Sequence, residues 1–148
     1  MRSLVSISAC FLLSACFLSA QETSKPNLSG TWRLNAERSE LHSTHVSGAA
    51  SWVIEEKDDS IHITESEGGK KIELQCPTNG KECEVTGGEK AKASFWYNGP
   101  ILVEMETKGQ NATRYRMNLS PEGKALTVEI TYIVPQEDKP DKLFFEKQ

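Results

Sequence analysis

From Ser29 onward no stretch shows a helical period of apolar residues over ten or more positions, which excludes an architecture of amphipathic helices for the body of the chain. Aromatic residues make up only 7% of the chain and hydrophobic residues 37%, a meagre supply for a core that must be apolar on every side. Basic residues are outnumbered, 17 Lys and Arg against 21 Asp and Glu, and they form no stripe. A nucleic-acid binder, which must neutralise phosphates, is thereby excluded. There is no Cys-x-x-Cys, no Gly-x-Ser-x-Gly elbow, no phosphate-binding loop and no His-Glu-x-x-His, so the common redox, hydrolase, nucleotide and zinc-protease signatures are missing. The length leaves no room for a cofactor domain beside a substrate domain.

The one long apolar run is at the N-terminus. Residues 1–20 hold a single charge, Arg2, followed by Leu4 to Leu18 with only small Ser, Ala and Cys interruptions, and the chain turns polar from Gln21. This is the pattern of an export signal and not of a membrane span. Two cleavage readings stand side by side. Leu18-Ser19-Ala20 permits a cut after Ala20, whereas Leu13-Ser14-Ala15-Cys16 resembles a bacterial lipobox, in which the signal is 1–15 and Cys16 is lipidated. A short polar segment, 21–28, leads into a single domain, 29–148. The expected location is therefore periplasmic or extracellular, or the cell envelope if Cys16 carries lipid, and a membrane contact is expected only through that anchor.

Cys10 and Cys16 fall in the leader, leaving Cys76 and Cys83 to meet an oxidising compartment as a pair, so a disulfide is expected. Asn79-Gly80 between them suits a type I′ turn. Pairing Thr78 with Lys81 around it sets Pro77 opposite Glu82 and Cys76 opposite Cys83, with Cα atoms ~5.5 Å apart, inside the range a disulfide requires.

From Ser29 on, short alternating segments are separated by turn residues such as Asp58-Asp59, Gly68-Gly69, Gly87-Gly88 and Pro121-Glu122-Gly123. The class is all-β. Around Pro121-Glu122-Gly123 alternation pairs Leu119 with Leu126, Met117 with Val128 and Tyr115 with Ile130 on the inner face, and Arg116 with Glu129 outside. Around Asn98-Gly99-Pro100 a three-residue loop pairs Tyr97 with Ile101, Phe95 with Val103 and Ala93 with Met105. That register keeps apolar residues on one face and places Glu104 and Glu106 outside, opposite Ser94 and Lys92, with Trp96 paired to Leu102 on the outer face. Eight to ten strands joined by tight turns favour an antiparallel up-and-down meander, and a meander that long escapes two open edges by closing into a barrel. Alternation also makes the apolar content sufficient, because a barrel needs apolar residues only at every second position.

Gly30-Thr31-Trp32 at the start of the first strand resembles the Gly-x-Trp signature of lipocalins, whose Trp packs across the closed end of the barrel. The mature chain is similar to small exported bacterial proteins described as lipocalin-like, in Leu28-Ser29-Gly30-Thr31-Trp32-Arg33-Leu34-Asn35, in Asn79-Gly80-Lys81-Glu82 with Val85-Thr86-Gly87, in Ser120-Pro121-Glu122-Gly123-Lys124 and in Glu146-Lys147-Gln148. The resemblance implies a lipocalin-like barrel with Gly30 and Trp32 as its closing signature. Two departures stand out: no Thr-Asp-Tyr motif occurs, and the final strand offers Lys142 and Lys147 in place of an Arg to cover Trp32.

Two functional readings follow. In the first, the interior binds a small hydrophobic ligand through Trp52, Ile54, Ile63, Phe95, Tyr97, Met105, Tyr115, Met117 and Tyr132, with Ala91, Ala93 and Thr113 leaving space. In the second, the barrel is an envelope interaction or inhibitor module with no internal ligand, contacting a protein partner through Trp96 and Leu102, with Leu41, Val46 and Phe144 adding apolar surface. Neither is enzymatic. His42 and His45 form a His-x-x-His pair in the segment after the first strand, read as solvated loop residues for want of a third ligand, and His62 points away from the Ile61 and Ile63 face. No catalytic residue, cofactor or metal is expected.

Overall fold

Period-two alternation and a turn residue every eight to ten positions translate directly into strands. The computed structural model describes residues 25–43 and 50–148; the leader with Cys16, and also His45 and Val46, lie outside the described residues. Ten strands follow one another: β1 Gly30–Leu34, β2 Ser51–Lys57, β3 Ser60–Glu67, β4 Lys70–Pro77 and β5 Asn79–Thr86, then β6 Ala91–Asn98, β7 Ile101–Lys108, β8 Asn111–Leu119, β9 Ala125–Val134 and β10 Asp141–Lys147. Each pairs antiparallel with its sequence neighbour, and β10 returns to β1, so the barrel closes without a free edge. The only helical element among the described residues is one 3₁₀ turn, Ala36–Arg38, after β1.

One end of the barrel is packed solid. Trp32, Phe95, Leu102, Met117, Leu126 and Phe145 are fully buried there, and Leu28, from the segment before β1, is buried with them as a plug. The plug is tied down by two bonds: the Trp32 indole Nε1 donates to the Leu28 carbonyl at 2.9 Å, and the Leu28 amide donates to Glu56 Oε2 at 2.9 Å. Lys147 Nζ lies 5.2 Å from the Trp32 ring centroid, supplying the cation over the indole that the sequence offered only as lysine. Gly30 is required at its place. Its φ is +150°, a backbone conformation that L side chains rarely adopt.

The β8–β9 hairpin has the register that alternation assigns, with Leu119 opposite Leu126, Met117 opposite Val128 and Tyr115 opposite Ile130. Arg116 Nη1 meets Glu129 Oε1 at 3.6 Å on the outside.

The β6–β7 hairpin does not. Asn98 pairs with Ile101, so the turn has two residues and not three. Gly99 takes φ +59° at its first central position, the requirement of a type II′ turn, and the fixed negative φ of Pro100 suits the second. The one-residue slip turns every side chain of β7 over. Phe95 now faces Glu104, Ala93 faces Glu106 and Tyr97 faces Leu102, while Trp96 pairs with Val103 and Ser94 with Met105. Leu102, Glu104 and Glu106 therefore point inward, and Met105 points out beside Ser94 and Arg114. The expected Trp96–Leu102 outer pair does not exist, since Leu102 is 0% exposed. Lys92 pairs with Glu82 at 3.2 Å instead of Glu106.

Cys76 and Cys83 form the expected disulfide, with Cα atoms 5.4 Å apart. The turn beside it differs from expectation: Gly80 has φ +83°, but Asn79 is not in the left-handed region, so this is not a type I′ turn. The reason is the pull of both neighbouring strands. The Thr78 amide donates to Asp59 O at 2.8 Å, and Asn79 already pairs with Trp96 of β6. The β4–β5 ladder consequently stops at Leu74–Val85, and the disulfide fastens the two strands two residues further on.

Candidate functional site

Above the packed half, the other end of the barrel is hollow. The cavity measures about 560 Å³, within the range of sites that enclose a small molecule. Its apolar wall comes from Trp52, Ile72, Ile130 and Leu143, and its mouth is framed by the β7–β8 and β9–β10 connections through Asn111, Val134 and Pro135.

The polar part of the wall is unexpected. Glu65 and Glu67 of β3 and Glu106 of β7 line the cavity with Tyr115, Thr113 and Tyr132. Glu104, 2% exposed, lies one inward position deeper on β7 and opposite Tyr115 in the β7–β8 ladder. No hydrogen bond or salt bridge to another described residue satisfies the side chains of Glu65, Glu104, Glu106 or Tyr115, which leaves them turned on one another and on the cavity.

Their protonation follows from that placement. Burial, reinforced by the charges of Glu106 and Glu67, pushes Glu65 up to about 7. Burial does the same to Glu104, with Glu65 and Glu106 adding repulsion, and holds it well above the carboxylate range. Glu106 is raised by burial and partly relieved by Lys108. The Tyr115 phenol is pushed far up by burial and by the three carboxylates. At neutral pH the cluster thus keeps at least one proton that ordinary glutamates would have lost.

Tyr132 is held differently. Asp141, fully buried at the start of β10, accepts from the Tyr132 hydroxyl at 2.8 Å, from the His42 amide at 2.5 Å, from the Ser43 amide at 3.0 Å, and from the Ser43 hydroxyl. Burial works to raise its carboxyl, but these four donors prevail and hold it below the usual range. Burial and the Asp141 charge push Tyr132 up to about 12, against the opposing donation of Ser43. Asp141 thereby pins the segment after β1 against the cavity wall.

Of the residues expected to bind a ligand, Trp52, Tyr115 and Tyr132 line the cavity. Ile54, Ile63, Phe95 and Met117 belong to the packed core beneath it. Tyr97 sits half-buried at the closed end, where its hydroxyl donates to Glu56 and Lys25 Nζ lies 4.7 Å over its ring. Met105 is on the outer face, because of the β7 register. Alternation alone carried a signal for Glu65, which shares the parity of Ile61 and Ile63; its charge argued against an inward place, and the charge argument fails here. Glu104 and Glu106 were hidden by the misplaced turn.

His42 and His62 are not brought together: His42 is exposed on the segment after β1, and His62 faces Glu55 at 3.5 Å on the outside of β3. Among the described residues no three His, Cys, Asp or Glu side chains converge as metal ligands. Leu41 is exposed, as expected, whereas Phe144 is half-buried beneath the Arg38 guanidinium at 3.5 Å.

No family model matches this sequence, and no curated protein does. Solved structures do. The chain is similar to a fatty acid transporter described as REP1-NXSQ, with TM-score 0.65 and 18% identity over 82% of this chain and 96% of that one. It is also similar to a secretary abundant heat soluble (SAHS) protein from Ramazzottius varieornatus, with TM-score 0.66 and 14% identity over 81% and 94%. At these identities the likeness establishes a shared lipocalin-like barrel fold.

Proposed function

We propose that this protein is an exported, lipocalin-like binder that carries a small, largely hydrophobic molecule in the open half of its barrel. The observation that carries the reading is the cavity of about 560 Å³, where Trp52, Ile72, Ile130 and Leu143 supply an apolar part of the wall and polar or charged side chains, Glu65, Glu106 and Tyr115 among them, supply more than half of the lining residues. A merely structural barrel gains stability by filling such a space, and the lower half, packed on Phe95, Met117 and Phe145, illustrates how that is done. Export rests on the leader sequence, with cleavage after Ala20 or lipidation of Cys16, and the Cys76–Cys83 disulfide suits an oxidising compartment. The similarity to a fatty acid transporter fold is compatible with carriage and leaves the cargo open. The reading is one of binding and assigns no catalytic role to these groups. The competing envelope-interaction reading loses Leu102, which is buried, and keeps Trp96, half-buried on the outer face beside Val103.

Native mass spectrometry of protein purified from its own host tests this. A co-purifying small molecule, together with saturable quenching of Trp52 by the neutral probe Nile red, is expected. A bare protein that takes up no probe would refute it.

A further inference from the structure

We propose that the cargo carries a protonated amine, which the inward carboxylates Glu65 and Glu106 receive at the base of the cavity while Trp52, Ile72 and Leu143 enclose its apolar body. The inference rests on the ligand-binding reading and specifies its chemistry. Four carboxylates, Glu65, Glu67, Glu106 and Glu137, line the space against one cation, Lys108. Lys108 is already engaged, its Nζ 2.5 Å from Glu89 Oε2, and is drawn outward to the rim. An anionic head group would enter a field of its own sign, with no other cation among the described lining residues to meet it.

Two further side chains point to a donor-rich guest. Glu104 is 2% exposed and has no partner among the described residues, yet it lies on the inner face opposite Tyr115, whose hydroxyl also lacks one while lining the cavity. Neither is sealed off, since Arg114 Nε alone among the described residues is a fully enclosed side-chain polar atom without a partner, so their oxygens are open to a donor that enters the cavity. An ammonium group offers up to three N–H donors and a positive charge to the same small region. Because among the described residues no three carboxylates converge closely enough to chelate a metal ion, the complement is an organic cation with reach and not an ion held at a point.

Amine binding should also release protons. A positive charge beside Glu65, raised to about 7 in the empty protein by burial and by Glu106 and Glu67, favours its ionised form. The groups facing that charge are Glu65 and Glu67 from β3, Glu104, Glu106 and Lys108 from β7, Tyr115 from β8, Tyr132 from β9 and Glu137 from the β9–β10 connection. Among the described residues only Lys108 opposes it, so affinity for an amine rises between pH 5.5 and pH 8.

Isothermal titration of the mature protein with dodecylamine, dodecanol and dodecanoate, below their micellar concentrations, tests the inference. At pH 7.5 dodecylamine should bind at least about tenfold more tightly than dodecanol, and dodecanoate more weakly than either. The double variant Glu65→Gln, Glu106→Gln should lose that tenfold advantage while still binding dodecanol, and its cooperative thermal melt shows that it is folded. Heats in buffers of different ionisation enthalpy should report proton release with the amine alone. Dodecanoate binding as tightly as dodecylamine, or a double variant with undiminished amine affinity, would overturn the head-group assignment and leave the carrier reading standing. Failure of all three probes to bind would overturn both.

Discussion

Glu104 stands directly opposite Tyr115 in the β7–β8 ladder, both on the inner face of the barrel. A carboxyl and a phenol, neither with a bonding partner among the described residues, thus occupy places that a packed barrel gives to aliphatic side chains. Glu104 is nearly inaccessible, so its cost falls on stability, whereas Glu65 and Glu106 above it are available to a guest.

That cost has a sign. Glu65 and Glu104 are raised in the folded state, by burial first and by their neighbours second, so folding binds protons that the unfolded chain has released. Stability is complete below the ordinary glutamate pKa and falls as pH rises through about 7 and beyond. Glu104→Gln removes the titrating group while preserving shape. Its melting temperature should exceed the wild-type value by a few degrees at pH 8 and match it at pH 4. Thermal melts across that range check this, and an equal gap at both pH values would contradict the assigned protonation.

Asp141 is the opposite case. Its carboxyl is held below the usual range by four donors, so its contribution is present above the ordinary aspartate pKa and disappears as pH falls through its lower folded value. Asp141→Ala removes the acceptor of the His42 and Ser43 amides and one partner of the Tyr132 hydroxyl. A loss of about 2 to 4 kcal/mol at pH 7 is expected, shrinking toward pH 2, and chemical denaturation at the two pH values measures it. Ligand affinity should fall as well, since Tyr132 and the segment after β1 lose their common anchor.

The register of β7 predicts a contrast between neighbours. Met105→Ser, on the outer face beside Ser94 and Arg114, should cost less than about 1 kcal/mol. Leu102→Ala removes a fully buried side chain and should cost about 2 to 5 kcal/mol. Equilibrium unfolding of the two variants distinguishes this register from one slipped by a residue, which reverses the order.

The Cys76–Cys83 link closes a short loop, with a sequence separation of 7. In the chain-entropy description its reduction should lower stability by ~2.5 kcal/mol. Because the β4–β5 ladder ends at Leu74–Val85, hydrogen exchange should rise locally, at Thr78 and Lys81, before the barrel as a whole loosens. Unchanged exchange there after reduction would show that β4 and β5 hold together without the link.

By itself the sequence determined that the chain is an antiparallel barrel, that Cys76 meets Cys83, and that β8 and β9 pair as they do. These are local matters: alternation has a period of two in any strand, and where apolar residues agree with the turn, as around Pro121-Glu122-Gly123, only one register satisfies both. The β6–β7 hairpin set the two criteria against each other. Sorting by polarity put Glu104 and Glu106 outside, while the backbone preferences of Gly99 and Pro100 put them inside, and the backbone prevailed because the turn geometry leaves β7 no other start. Only the closed tertiary structure decided what that meant. Glu65 of β3 and Glu106 of β7 are far apart in the chain and share no ladder; closure of the barrel brings their charges within reach across one cavity, and electrostatic coupling through space has no signature in a linear pattern.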